Sequence, residues 1–564
     1  MRWLRLRAHH GWVWTTRKRW LPAAPVALAL VYGVALTIAA NRYFMRSAGA
    51  LLHKSDEGYV VAFARRLLDG HDLPYVDAVS HRGPLFYWIV ALAVKVYGYG
   101  TWMPVRALTL VTMLLTIGFG FAAACVARRG LAAAVFVLVY LGACTTSMER
   151  ADGLGFHSEG VVNVFGMLAL LCTTAALRDR PRRTRLQTAL VFLAGACVML
   201  GALSKQVGIV AVVPFGLWVL SASVERRERA IHIRWGLLGT YTLGVAVPLA
   251  LVLLRYAAAR RLSTLYYYTI AYNLRVYGPA IHATRDRLLL DAFLGHFDLL
   301  LLGAPLFGWG LSVVFTRARG PADLARAYAA HGFDATVAYG AAAALLAADS
   351  SLRNFTHYYL QVLPWAALLV GIVVDRVTTR GGFEARRFPY RALLARTAVL
   401  LPMAAVVGTG WRARESQYAA DPAVKDAFAT QDWTICRWLR ARTNPSDSIF
   451  IWGFDPAPYT ACNRRPASRY VYTTFVQGFV PWVDEPRAVE EARVTPGSRE
   501  ILLGELEREM PAVVFDSPIG NRSLMTYPFL RAFVGKNYCR EPMNVGGPTA
   551  WTRKPPQGCA DGTR

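Results

Sequence analysis

The chain has 564 residues, of which 55% are hydrophobic and only 18% charged, against about 25% charged in soluble domains. Lys and Arg number 63 and Asp and Glu 36, a net charge of +27. This balance excludes a disordered chain, a collagen-like repeat and a small disulfide scaffold, and leaves two readings of the charge: one basic surface for nucleic acid, or the basic loops of a membrane protein.

Apolar stretches long enough to cross a ~30 Å hydrocarbon core recur through residues 1–411. They fall near 22–40, 103–126, 131–147, 159–177, 186–203, 207–223, 235–255, 289–316, 333–348, 357–374 and 397–411. The first follows six Lys/Arg in residues 1–20 and reads as an uncleaved signal anchor with a cytoplasmic N-terminus. Pro84–Gly100 is apolar too, but it is short and contains Lys95. Placed at the outer interface rather than across the bilayer, it leaves eleven spans. The cytoplasmic windows 1–20, 127–130, 178–185, 225–234, 317–326 and 375–396 then hold 26 Lys/Arg and six Asp/Glu in 74 residues. The opposite windows (41–102, 147–159, 204–207, 256–288, 349–356) hold 15 Lys/Arg in 120 residues. Most of the positive charge is thus a topology signal, and no nucleic-acid partner is expected. The lipid bilayer is the partner that this pattern requires.

The first outer loop carries SDEGYVVAFARRLLDG. Ser55 can cap a helix, Gly70 can stop it, and Val60, Phe63, Ala64, Leu67 and Leu68 form one stripe. The pattern predicts an amphipathic helix lying flat at the outer interface, with Asp56 and Glu57 in its first turn. Acids in a first turn also complement the helix dipole. Next comes HRGPLFYWIVALAVKVYG, where Phe86, Tyr87 and Trp88 suit an interfacial aromatic belt and Arg82 is placed to hold a phosphate near the two acids. Glu159 lies at the outer lip of a span, and Lys205 is the single charge in the turn GALSKQVGIV. The loop 260–287 mixes Arg260, Arg261, Arg275, Arg285 and Arg287 with tyrosines in YYYTIAYNLR, against the topology bias, which fits an anionic lipid headgroup. In RNFTHYYLQVLPW, Arg353, His357 and Tyr358 enter the next span.

The tail, 412–564, has 20 Lys/Arg, 17 Asp/Glu and no span. SDSIFIWG (446–453), SRYVYTTF (468–475) and PAVVFDS (511–517) read as strands and Arg487–Met510 as mostly helical, a small α/β domain. Its four cysteines, on the oxidising side, suit two disulfides. Spacing does not decide among three connectivities; Cys436–Cys462 with Cys539–Cys559 is the expected one. Cys125, Cys144, Cys172 and Cys197 lie in or beside spans, and no CxxC or HExxH spacing occurs.

The unit DEGYVVAFARRLLDG followed by RGPLFYWIVALAVKVYG resembles the first-loop pattern of GT-C glycosyltransferases, nearest the bacterial branch related to protein O-mannosyltransferases and to the aminoarabinose transferase acting on lipid A. The resemblance continues through Glu159, the Lys205 turn, YYYTIAYNLR, RNFTHYYLQVLPW and IWGFDPAPYTACNRRPASRY, most of residues 22–475. It implies a polytopic helical GT-C fold of about eleven spans in residues 1–411, with a periplasmic α/β domain in 412–564, in the bacterial cytoplasmic membrane. It implies a cell-envelope enzyme that moves a sugar, with inversion, from a polyprenyl-phosphate donor to a hydroxyl of a glycan, lipid or protein acceptor; no cofactor is expected, and the use of a divalent metal is left open. Asp56 matches the family's catalytic acid and Glu57 its supporting neighbour; Glu159 falls where relatives often carry Asp. Arg82 falls where many relatives have Lys before Pro-Pro, and here the triplet is Arg-Gly-Pro. Arg82, Lys205, Tyr272, Asn273, Arg275, Arg353, His357 and Tyr358 are the expected substrate-binding residues. A flippase for a lipid-linked saccharide is the alternative, but it would place acids near the midplane and show internal repeats, and neither is seen.

Overall fold

The structure is a computed structural model that describes residues 23–46, 54–148, 150–178, 184–227, 230–282, 328, 331–349, 355–380, 389–420, 431–481, 483, 485–541 and 549–559. Membrane-domain helices among these are α1 (Ala24–Arg46), α2 (Lys54–Asp69), α3 (Pro84–Tyr97), α4 (Met103–Val126), α5 (Gly130–Gly142), α6 (Ser158–Leu177), α7 (Arg185–Ser204), α8 (Val212–Ser223), α9 (Trp235–Ala258), α10 (Gly332–Asp349), α11 (Leu363–Arg380) and α12 (Pro389–Ala420). Eight described helical stretches are long and apolar enough to cross a membrane: Ala24–Arg42, Met103–Val126, Gly130–Ser147, Ser158–Leu177, Arg185–Ser204, Gln206–Ser223, Trp235–Ala258 and Tyr390–Ala420. All eight sit where spans are expected. Helices α10 and α11 also fill expected positions, while the expected span 289–316 lies outside the described residues. α3, with 14 residues, is the short apolar helix; at 1.5 Å per residue it reaches only about 21 Å.

α4, α6, α7 and α9 pack side by side in that order, and α5 sits against α1, α4 and α11. At one end of this bundle Arg129 bonds Asp334 at 2.7 Å and Asp375 at 3.2 Å, and Arg376 pairs with Asp334. These acids at the ends of α10 and α11 are therefore compensated, as buried charge requires.

The opposite end carries the first-loop helices and the C-terminal domain. α2 forms where the stripe predicts and stops at Gly70, and protein encloses it on more than its apolar stripe. Every residue from Tyr59 to Ala64 is buried and Leu67 with them, whereas Leu68 is 41% exposed. α2 is enclosed because α3 covers one side and the C-terminal domain the other: Tyr59, Phe63, Phe86 and Val90 share one core with Ile449, Ile451, Tyr459 and Phe515.

That domain holds a five-stranded sheet, β3 (Ser448–Gly453), β4 (Arg465–Pro466), β5 (Val513–Ser517), β6 (Tyr538–Glu541) and β7 (Thr549–Arg553); a separate two-stranded hairpin, β1 (Val224–Arg227) and β2 (Ala230–Ile233), joins α8 to α9 in the membrane domain. The order is β4-β3-β5-β7-β6. β3 runs parallel to β4 and β5 with Ile449 opposite Val513, and β7 runs antiparallel to β5 and β6. All six residues of β3 are buried, the run expected of a covered parallel strand. Helices Arg487–Ala492 and Ser498–Glu509 occupy the predicted helical region. SRYVYTTF is not a strand: Thr473 bonds Gly453 through its hydroxyl, and a helical turn, Thr474–Gln477, follows. The two disulfides are Cys436–Cys462 and Cys539–Cys559, as expected.

Candidate functional site

Asp56 and Arg82 come together first. Asp56 stands in the first turn of α2, and Arg82 in the turn before α3, where Pro84 opens the helix. Arg82 Nη2 donates to Asp56 Oδ1 at 3.0 Å, with the two side chains 21% and 14% exposed. The turn is fixed from several sides. Tyr75 donates through its hydroxyl to Arg82 O, and Gln206 and Asn273 donate through their amides to His81 O at 2.8 and 3.2 Å. A Cβ on Gly83 would stand 2.1 Å from Leu203 O, so the Gly of the Arg-Gly-Pro triplet lets this turn press against the end of α7. Burial disfavours the Arg82 cation, but Asp56, with Tyr87 and Glu159 behind it, outweighs burial and holds the guanidinium protonated well beyond its usual range.

The second pair is Glu159 with Lys205. Glu159 opens α6 and Lys205 ends α7. Their charged atoms lie 2.5 Å apart, Glu159 is 2% exposed, and Ser158 donates to its other oxygen at 3.0 Å. Lys205 Nζ sits 4.0 Å from the centre of the Tyr358 ring, a cation–π contact. Burial pulls the Lys205 ammonium below its usual pKa, and the Glu159 carboxylate opposes this.

A histidine pair joins the two. His157 and His357 stack at 4.6 Å and 9°, and His357 Nδ1 lies 3.2 Å from Asp152 Oδ1. One donor atom each from Asp56, His157 and His357 falls within 4.8 Å of the others. Two imidazoles and a carboxylate suit a borderline divalent cation such as Zn²⁺, and a carboxylate behind a ligating imidazole is the usual support.

Of the expected residues, Asp56, Arg82, Glu159, Lys205, His357 and Tyr358 converge. Glu57 is fully buried and faces away: its carboxylate pairs with Arg106 and accepts from Phe156 N at 2.9 Å. Asn273 reaches the site only through His81 O. Tyr272 is 4% exposed and packs on Phe475 at 4.7 Å, and Arg275 is exposed. Arg353 lies outside the described residues. Asp152, His157, Arg106 and Gln206 were not anticipated. The string MERADGLGFHSEG already holds two of them, and an Arg four residues into an apolar span is itself a signal of a buried partner.

Neither the scan of protein-family models nor the search of curated proteins finds a match to the sequence. Solved structures do match. ArnT from Cupriavidus metallidurans bound to undecaprenyl phosphate aligns with a TM-score of 0.53 and 16% identity over 92% of this chain and 97% of that one. Its apo form gives 0.51 over the same shares. The archaeal oligosaccharyltransferase AglB from Archaeoglobus fulgidus, in complex with an inhibitory peptide and a dolichol-phosphate, scores 0.48 at 14% identity over 95% and 74%. The chain therefore has the GT-C fold, a polytopic helical membrane domain with a small sheet domain at its C-terminus.

Proposed function

We propose that this chain is a glycosyltransferase that moves a sugar from a polyprenyl-phosphate donor to an acceptor hydroxyl at the outer face of the bacterial cytoplasmic membrane, with inversion. The observation that carries the reading is the pairing of Asp56 with Arg82 beside Glu159–Lys205, nearly closed to water, at the end of the bundle that meets the C-terminal domain. A fold shared with a protein captured with undecaprenyl phosphate supports the donor class.

In this mechanism the Asp56 carboxylate takes the proton of the acceptor hydroxyl, help typically worth about 10²–10⁴-fold. The acceptor oxygen bonds to the anomeric carbon from the face opposite the phosphate, and the C–O bond to phosphate breaks with its electrons going to the lipid phosphate. That group leaves as a stable anion and needs no general acid. Arg82 and Lys205 hold its charge, exchanging part of their bonding to Asp56 and Glu159 for phosphate oxygens. Glu57 supports Asp56 without touching substrate.

The test is transfer by purified protein in nanodiscs, supplied with a radiolabelled polyprenyl-phosphate sugar and a cell-envelope extract as acceptor. Acceptor-dependent release of polyprenyl phosphate is expected, together with its loss in a folded Asp56→Asn variant. Full activity in Asp56→Asn would refute the base assignment.

A further inference from the structure

We infer that Arg106 is a positioning residue for the transfer reaction, and that with Glu57 it forms a buried strut setting the distance between Asp56 and the acid and imidazole of the 154–159 segment. The inference rests on the reading of Asp56 as the base.

Arg106 lies near the start of α4 and is 1% exposed; Glu57, on the helix that carries Asp56, is 0% exposed. The two pair directly, and each also holds the same loop. Arg106 Nη1 donates to Leu154 O at 3.2 Å, and Glu57 Oε1 accepts from Phe156 N at 2.9 Å. Phe156 in turn stacks on Phe86 of α3 at 5.4 Å and 12°. The residue after Phe156 is His157, and Glu159 opens α6 two residues later. Four elements are thus fastened at one charged knot: the helix with Asp56, the helix behind Arg82, the span α4, and the loop with His157 and Glu159.

An apolar knot would pack these elements but would not fix their separation. A buried ion pair of similar volume is often no more stable than its hydrophobic replacement, and its worth then lies in specifying one arrangement. Here the arrangement includes donor atoms of Asp56 and His157 within 4.8 Å. A displacement of about 1 Å at such a site costs roughly 10²-fold in rate.

The experiment uses the full chain in nanodiscs and the double variant Glu57→Met/Arg106→Met, which removes both charges together and frees only the Phe156 N–H and the Leu154 carbonyl of their side-chain partners; either single change strands a buried charge and risks unfolding. Three quantities are measured: the melting temperature, the affinity for undecaprenyl phosphate, and the single-turnover rate with the labelled polyprenyl-phosphate sugar and envelope extract. The expected result is a folded protein that binds undecaprenyl phosphate within about threefold of the parent and transfers about 100-fold more slowly. Arg106→Lys, which keeps the charge but not both contacts, should fall between. A folded double variant whose rate stays within about threefold of the parent overturns the inference, as does a parallel loss of undecaprenyl phosphate binding. If Asp56→Asn itself transfers normally, the base reading fails instead, whatever the double variant does.

Discussion

Arg82 and Lys205 are both placed for a phosphate, yet their chemistry separates them. Arg82 keeps its proton far into the alkaline range because Asp56, Tyr87 and Glu159 outweigh its burial. Lys205 is lowered by burial, and Glu159 only opposes the shift. Losing one charge-assisted hydrogen bond to phosphate costs roughly 1.5–3 kcal/mol, about 10- to 100-fold in affinity. Arg82→Met and Lys205→Met should each raise the donor KM by that factor. The pH dependence distinguishes them. A lysine loses its charge as pH rises through its pKa, and burial moves that loss below the ordinary lysine value. Donor affinity should therefore weaken on the alkaline side before pH 10.5, the ordinary lysine value. Lys205→Arg should abolish this limb, since a guanidinium stays charged. A limb that persists unchanged in Lys205→Arg would remove Lys205 from phosphate binding. Both cations were legible in the sequence because each stands in a contiguous motif with few other charges. Arg82 was also expected near Asp56, but the partner of Lys205 was not legible, since 46 residues separate it from Glu159; nor was that of His357, 205 residues from Asp152.

Elements rather than single contacts hold these side chains, and two changes test the elements. Gly83→Ala would drive a Cβ to 2.1 Å from Leu203 O, a backbone atom at the end of a span that cannot rotate away. The turn must shift, and Arg82 with it. The expected outcome is a folded protein with at least about tenfold slower transfer, although residue 83 touches no substrate. The Cys436–Cys462 bridge closes a loop of 26 residues, worth roughly 3–4 kcal/mol in chain entropy. It anchors the helix Gln431–Arg440 to the helical turn Ala457–Ala461, which packs on α2 at Gly58, where a Cβ would stand 2.9 Å from Ala457 Cα. Cys436→Ser/Cys462→Ser should lower the melting temperature of the C-terminal domain and transfer activity together. Unchanged activity at the reduced melting temperature would show that this domain does not brace the Asp56 helix. The alternation in SRYVYTTF misled because its aromatic residues have other work. Tyr472 stacks on Tyr59 at 4.0 Å and on Phe454 at 4.3 Å instead of joining the sheet. Pro466 also leaves β4 only two residues long, since proline has no N–H to continue a ladder.

At the scale of the molecule, a hydrophobic period and charge bias were enough to expect the bundle, because each span solves its hydrogen bonding within itself. They could not show that α2 is enclosed. Its stripe records one apolar face, while the rest of it is covered by a domain that begins about 360 residues later, through contacts such as the hydroxyl of Thr460 with Gly58 O. The same limitation hid the Glu57–Arg106 knot, since an amphipathic pattern cannot say which chain will cover a charge. Charge bias does make a definite statement about sidedness. With 26 Lys/Arg in the six windows assigned to the cytoplasm and 15 in the longer opposite windows, the C-terminal domain and the Asp56 site should face outward. Glu507 is exposed on the C-terminal domain and Arg185 is exposed at the far end of α7, so each can be replaced by cysteine without entering the site. In a background where Cys125, the exposed native thiol, is serine, a membrane-impermeant maleimide should label Glu507→Cys in intact spheroplasts and Arg185→Cys only after lysis. Equal labelling of both before lysis would mean leaky cells and is controlled by a cytoplasmic marker. Labelling of Arg185→Cys alone would invert the topology, and an outward-facing Asp56 would then be untenable, because α2 lies on the same side as the domain that covers it.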